Sequence, residues 1–238
     1  MSTLSIIIPV FNEQNTIIQI LDKLTEVSLS GNLSKEIVII DDCSFDSTAT
    51  LITEYIENNN ENTVKYFRQD INRGKGAAIH QGIKLSTGDF VIVQDADLEY
   101  DPEDFNLLLK PLLMGRADVV YGSRFIGGNP RRVLFFWHTI GNKFLTLLSN
   151  IVTNLNLTDM ETCYKMFKGN IIRDLQLVEN RFGFEPEVTI KISKISNIRI
   201  LEVGISYYGR MYSEGKKIGW RDGFRAIYCI IKYGIFIK

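Results

Sequence analysis

The sequence predicts an α/β fold built on a mostly parallel sheet. Five short runs rich in Ile and Val recur along it: Leu4–Val10, Glu36–Asp41, Val64–Gln69, Asp89–Asp95 and Ala117–Ser123. Several are apolar at successive positions, which suits strands covered on both faces. Segments of helical period separate them, and that alternation implies βαβ units.

The first run, LSIIIPV, starts close to the amino terminus without a basic stretch before it and reaches acid at Glu13. It therefore reads as a strand and not as a signal peptide. The segment NTIIQILDKLTEV follows, with Ile17, Ile18, Leu21 and Leu24 on one helical face. After the second run, Ser44, Asp46 and Ser47 are cap candidates for a helix over TATLITEYIE. KGAAIHQGIKL is the next helical stretch, and Pro102 opens another, PEDFNLLLKPLL, where its missing N–H costs nothing. Beyond Arg124 the pattern changes. RRVLFFWHTIGNKFLTLLSNIV is strongly apolar, FGFEPEVTIKI turns into a helix, IRILEVGISYYGR reads as one or two late strands, and FRAIYCIIKYGIFIK is apolar with spaced basic residues.

At 238 residues and 45% apolar, the chain forms one large domain, or a domain with a small appendage. A net charge of −1 argues against a general nucleic-acid binder. Cys43, Cys163 and Cys229 are far apart, with no CxxC spacing. They fit a reducing compartment better than a disulfide framework or a zinc site.

The apolar run ending at Val93 drives straight into QDADLE, with Asp95, Asp97 and Glu99 at alternate positions. In parallel α/β sheets, ligands bind beyond the carboxyl ends of the strands. Two carboxylates at i and i+2 there suit a hard divalent ion, which takes one or two carboxylates plus ligand phosphates. Taken alone, such a tripeptide is equally an acidic turn with helix-capping aspartates. The other strand ends add weight: Asn12 and Glu13 after the first, Asp41 and Asp42 after the second, and DINRGKG after the third. Jointly these polar groups make a pocket. Neither a Walker loop nor a G-x-G-x-x-G occurs, so P-loop and dehydrogenase chemistry lose their signatures.

The ordered set IIIPVFNE, IIDDCSFDST, NRGKGAA, QDADLEYDPED and YGSRF resembles glycosyltransferase family 2, the inverting GT-A class. TDMETCYKMF (Thr158–Phe167) and FGFEPEVTIK extend the similarity to the dolichol/polyprenyl-phosphate mannose synthase-like branch. The resemblance covers residues 4 to about 217. It implies a GT-A fold with a Rossmann-like, mostly parallel central sheet flanked by helices. It divides the chain into a catalytic domain over 1–217, with a donor half to about 124 and an acceptor half from about 125, and an amphipathic segment over 218–238.

The resemblance also assigns roles. Pro9, Phe11, Glu13, Ile40 and Asp42 line the donor's nucleoside pocket, with Asn72, Lys75, Asp95, Ala96 and Lys216 completing the donor site. Asp97 is the main metal ligand, with Asp95 and Glu99, for Mg2+ or Mn2+; related synthases often carry Gln where Glu99 stands. Asp97 and Arg124 also belong to the donor site, Asp97, Arg124, Asp159 and Arg210 are the catalytic residues, and Arg131, Arg132 and Arg210 meet an acceptor phosphate. Arginine suits that task because its two parallel donors match phosphate oxygens. Asp159 is either a base or acceptor-orienting carboxylate, or an ordinary helix N-cap. Glu185 and Glu187 either orient the sugar or acceptor, or start a helix.

Residues 133–152 are near the length of a membrane span, but His138, Asn142, Lys143 and Asn150 make a span costly. As an amphipathic helix, with Phe135, Leu145 and Leu148 among its apolar positions, the segment is either a core helix or a headgroup-level one marked by Trp137 and the preceding arginines. The expectation is a transferase moving a hexose from GDP-mannose or UDP-glucose to a polyprenyl or dolichyl phosphate. It works peripherally at the cytoplasmic membrane face, with a membrane-protein partner or a second copy as possible company. A glycan acceptor is the alternative, and a non-catalytic nucleotide-sugar-binding subunit is the third reading.

Overall fold

Strand β1 (Thr3–Val10) has Leu4, Ile6, Ile7 and Ile8 fully buried, so both of its faces are covered. A computed structural model of the protein describes residues 2–59, 63–127, 132, 135–210 and 220–236. After β1 come α1 (Ile17–Glu26), β2 (Ser34–Asp41), α2 (Thr48–Asn59), β3 (Val64–Arg68), α3 (Lys75–Leu85) and β4 (Phe90–Val93). Next are α4 (Phe105–Leu113), β5 (Val119–Ser123), α5 (Phe136–Thr153), β6 (Lys165–Lys168) and α6 (Gly169–Asp174). The chain continues through α7 (Phe184–Ser193), β7 (Ile200–Gly204) and α8 (Trp220–Ile231), and a π-helical turn over Lys232–Phe236 follows.

The strands form one seven-stranded sheet in the order β3-β2-β1-β4-β6-β5-β7. All pairings are parallel except those of β6, which runs antiparallel between β4 and β5. The sheet is therefore mostly parallel, as expected. The reversed β6 has a consequence for the site. The residues leading into it emerge at the same rim as the carboxyl ends of β1, β2, β4 and β5.

The main core lies between the sheet and its helices. Ile17, Ile20, Leu21 and Leu24 form the buried face of α1; Ile18, expected with them, is only partly buried. Helix α3 packs on β1 and β2, and α4 on β5 and β6. A second cluster joins Met160 and Ile190 to Cys229, Ile230 and Tyr233, with Leu145, Leu148 and Val152 against it. This seam docks α8 and the turn after it onto α5 and α7.

Two interactions tie the outer helices to the rim. Buried Glu179 accepts from Arg225 Nη2 at 2.7 Å and from the Tyr233 hydroxyl at 2.7 Å. Glu187, fully buried in the first turn of α7, accepts from the Val178 and Glu179 amides and pairs with Lys191 at 2.6 Å. Glu187 thus shapes the chain before α7 and does not line the cleft described next.

Candidate active site

The carboxyl ends of the strands open into a cleft of about 1000 Å³. Its first wall comes from β1 and β2. Asn12 adopts the left-handed conformation (φ 52°), its amide donates to Ser44 Oγ and its Oδ1 accepts from the Phe45 amide. The Glu13 amide donates to Thr48 Oγ1 at 2.9 Å. These bonds zip the two strand ends together and leave Pro9, Phe11, Glu13 and Asp42 on the cleft wall. The cap expected from Asp46 forms, its Oδ1 accepting from the Thr48 amide.

Asp42 builds the adjoining loop. Its two oxygens accept from the Arg73 and Gly74 amides, each at 2.7 Å. Burial raises its pKa against those bonds. Gly74 has φ +100°, and a Cβ there would lie 2.5 Å from the Asn180 carbonyl; at Gly76 the Glu179 carbonyl would be closer still. The two glycines let the chain before α7 approach, which brings Arg181 and Phe182 to the cleft.

The acids after β4 lie in the middle of the rim. Lys75 Nζ meets Asp95 Oδ1 at 2.5 Å. Burial opposes the lysine's charge, but Asp95, Cys163 and Glu185 together outweigh it and hold the ammonium well above its ordinary range. Asp97 has Arg210 Nε at 3.9 Å, and Arg210 Nη2 reaches Glu13 at 3.0 Å. Burial, with Asp95 and Glu99 beside it, pushes the Asp97 carboxyl up to about 7. Glu99 lines the cleft beside them, but its oxygens are engaged: it accepts from the Tyr207 hydroxyl at 2.7 Å and from the Arg210 amide at 2.6 Å. It anchors residues 207–210 to the acid turn.

Among the described residues no group of three acids, histidines or cysteines is arranged as a closed metal cage. Asp95 and Asp97 do fit the open pattern of two carboxylates that share an ion with a ligand's phosphates. The mutual repulsion that raises Asp97 is what a cation there would relieve.

The far wall is built on Arg124 and Asp159. Asp159, fully buried, accepts from Arg124 Nε at 2.7 Å, from its Nη2 at 2.8 Å and from its amide at 3.0 Å. Asn142 adds a bond at 3.2 Å to the same carboxylate. No helix follows Asp159, so it is not an N-cap; it stands behind Arg124 and orients it. The Arg124 guanidinium lies 5.1 Å from the Tyr207 ring centre, and Tyr207 packs edge-on to Tyr100.

Of the residues singled out from sequence, Pro9, Phe11, Glu13, Asp42, Asn72, Lys75, Asp95, Ala96, Asp97, Glu99, Arg124 and Arg210 meet on one cleft. Ile40 does not: it is fully buried with Val38 and Ala78, because β2 is covered by α3. Arg132 is exposed and its Nη1 donates to the Gly209 carbonyl at 3.0 Å, off the cleft wall. Arg131 and Lys216 lie outside the described residues. Glu185 is not on the wall; it pairs with buried Lys165. Sequence reasoning passed over Glu161, Arg181 and Tyr207, all on the wall. Glu161 lies in the quoted TDMETCYKMF, two residues from Asp159, and could have been found there; Arg181 and Tyr207 carry no such local mark.

Helix α5 presents two faces. Leu145 and Leu148 pack inward, while Phe136, Trp137, Ile140, Phe144, Leu147 and Ile151 are exposed, Trp137 to 78%. Phe224, Tyr228, Ile231, Ile235 and Phe236 are exposed on α8 and the turn after it. Phe135 and Trp137 also line the cleft, so its mouth is continuous with this apolar surface. No described helix is long and apolar enough to cross a membrane.

The mostly parallel sheet, with acids, a lysine and arginines converging at its carboxyl rim, has the architecture of the GT-A glycosyltransferases. The glycosyl transferase family 2 model matches residues 5–176, and the chain belongs to that family. It is 30% identical over 216 residues to a dolichyl-phosphate beta-glucosyltransferase of Dictyostelium discoideum, covering 86% of this chain and 66% of that one. It is 23% identical over 235 residues to a dodecaprenyl-phosphate galacturonate synthase of Rhizobium johnstonii, covering 99% of this chain and 67% of that one. The chain thus spans about two thirds of these relatives' lengths. Among solved structures, glucosyl-3-phosphoglycerate synthase of Mycobacterium tuberculosis with Mn2+ and UDP-glucose superposes with a TM-score of 0.74 at 16% identity, covering 98% of this chain and 79% of that one. That likeness bears on the fold alone.

Proposed function

We propose that the protein transfers a hexose, with inversion, from a nucleotide-sugar donor, GDP-mannose or UDP-glucose, to a polyprenyl or dolichyl phosphate at a membrane surface. The observation that carries this reading is the continuity of the charged cleft with the exposed apolar face of α5 and α8. A lipid phosphate needs that pairing: a cationic wall for its headgroup and an apolar surface beside it. Two relatives named for polyprenyl-phosphate acceptors support it.

In this reading Pro9, Phe11, Glu13 and Asp42 hold the nucleoside, and Asn72 and Lys75 bind beside the diphosphate. Asp95 and Asp97 would hold Mg2+ or Mn2+, which would neutralise the diphosphate leaving group. Lys75, paired with Asp95 in the structure, would be released toward phosphate oxygens if a cation took that carboxylate. Arg124 and Arg210 bind phosphate at the acceptor end. A phosphate oxygen is already anionic at neutral pH and attacks the anomeric carbon without a general base. A glycan hydroxyl, the second reading, would need one, and Asp159 is engaged on both oxygens by Arg124 and Asn142. The catalytic division stays at 1–217 with the segment 218–238 at the membrane, and the protein works on the cytoplasmic face.

The test is a donor-by-acceptor panel: labelled GDP-mannose, UDP-glucose and UDP-N-acetylglucosamine with Mg2+ or Mn2+, each with and without a polyprenyl phosphate. Metal-dependent label in the lipid phase is the expected result. Transfer to a glycan only, with none to lipid, moves the assignment to the second reading.

A further inference from the structure

We propose that Glu161 contacts the sugar being transferred and sets the charge selectivity of the donor site, favouring a neutral hexose over the corresponding hexuronate. The inference rests on the nucleotide-sugar reading above and adds the class of sugar.

The sheet itself is the ruler. Along the rim, the order β2, β1, β4, β6, β5 places Asp42 first, then Glu13, then Asp95 and Asp97, then the turn into β6 that carries Glu161, then Arg124. Neighbouring strands are about 4.8 Å apart, so Glu161 lies roughly one strand beyond the β4 acids on the side away from the nucleoside pocket. A donor laid along that rim with its diphosphate at β4 puts its sugar at β6.

Glu161 lines the cleft, and its Oε1 is buried with no hydrogen-bond partner. A buried carboxyl oxygen without a partner is costly, and a ligand hydroxyl would satisfy it. The charged groups facing Glu161 are already paired. Arg124 from β5 is held by Asp159, and Lys165 of β6 by Glu185 of α7. Burial, reinforced by the Glu185 charge, pushes the Glu161 carboxyl up to about 7. His138 of α5 lines the same cleft, and so does Asp97, whose carboxyl is likewise pushed up to about 7.

The chemistry follows from the donors and acceptors available. A sugar hydroxyl both donates and accepts, so it bonds Glu161 in either protonation state. A uronate carboxylate only accepts. It can bond protonated Glu161, but it meets like charge once Glu161 ionises. Discrimination against the acidic sugar therefore grows as pH rises through neutrality.

The experiment measures affinity by calorimetry, with Mn2+ and the full chain, for UDP-glucose against UDP-glucuronate and for GDP-mannose against GDP-mannuronate, at pH 6 and pH 8. Each pair shares its nucleotide and metal, so the ratio isolates the sugar end. In the pair that binds, the neutral-to-acidic ratio should rise about tenfold from pH 6 to 8, and in Glu161→Gln it should be low and flat with pH. A ratio that keeps its pH dependence in Glu161→Gln belongs to another group, such as Asp97, and overturns the proposal. So does a wild-type ratio that ignores pH, or a Gln variant that loses turnover at an unchanged ratio. If no nucleotide sugar of either pair binds, the donor reading itself fails and takes this inference with it.

Discussion

Asp159 grips Arg124 from behind, bonding its Nε, Nη2 and backbone amide, and is itself fully buried. The Thr158 and Asp159 amides donate in turn to Glu202 of β7 at 3.0 Å. The guanidinium is thus fixed by a chain of contacts running from the sheet edge to the cleft.

That chain makes Asp159 a positioning residue, and its role can be separated from that of a base. Asp159→Asn keeps the shape but weakens the grip on Arg124, and turnover should fall about a hundredfold. The pH–rate profile should keep its form, because no proton acceptor has been lost. A double-mutant cycle with Arg124→Ala should be strongly non-additive. Loss of the basic limb of the profile in Asp159→Asn would contradict the assignment.

Asp97 gives a prediction with a definite sign. Its folded-state pKa is raised from 3.8 to about 7, so the folded, metal-free protein holds a proton that the unfolded chain has already released. With EDTA present, stability should therefore fall as pH rises from about 4 to 7 on account of this group. Divalent ion binding requires the ionised form, so affinity for Mn2+ should drop about tenfold per pH unit below 7. Titration of Mn2+ binding at pH 6, 7 and 8 checks this. In Asp97→Asn the fold should persist while metal-dependent transfer is abolished; substantial residual transfer would remove the metal role.

The charged rim was legible in the residues because parallel strands deliver their carboxyl ends to one edge, and Glu13, Asp42, Asp95 and Asp97 sit at such ends. Strand β6 was not singled out. Its four residues, KMFK, are too few to show a period, and its place between β4 and β5 depends on pairings made from both sides. Glu99 shows the same limit. Its alternate spacing suits a metal ligand, yet Tyr207 and Arg210, more than a hundred positions away, claim its oxygens. For α5 the difficulty lies in composition. A helix apolar on more than one face does not reveal which stripe packs inward.

Glu36 supplies a stability prediction far from the chemistry. The nearly buried carboxylate bonds Ser5 Oγ, the Thr87 amide and hydroxyl at 2.8 Å, and Lys65 at 2.6 Å. Burial opposes its ionisation, but Lys65, Ser5 and Thr87 outweigh burial and lower its pKa from 4.5 to about 2. The stabilisation is complete above 4.5 and lost as pH falls toward 2. Glu36→Gln should cost about 2–3 kcal/mol at pH 7 and flatten the acid limb between those values, without altering transfer per folded molecule. Denaturant titration across that range reads both effects.

The exposed face of α5 gives the last prediction. Phe136, Phe144 and Leu147 are exposed by 68%, 50% and 56%, on the same helix as cleft-lining Trp137 but not on the cleft wall themselves. Such a patch on a monomer marks a contact surface, and a membrane is the partner that the proposed acceptor requires. Inserting each side chain into the headgroup boundary should contribute about 1.5–3 kcal/mol, so each change to Ser should weaken vesicle binding by about tenfold or more. Flotation with vesicles containing polyprenyl phosphate measures that loss. Transfer to a short-chain, water-soluble polyprenyl phosphate should stay at the wild-type rate, because the charged cleft is untouched. Equal loss with both acceptors would mean that the stripe supports the fold, and unchanged vesicle binding would place the membrane contact elsewhere.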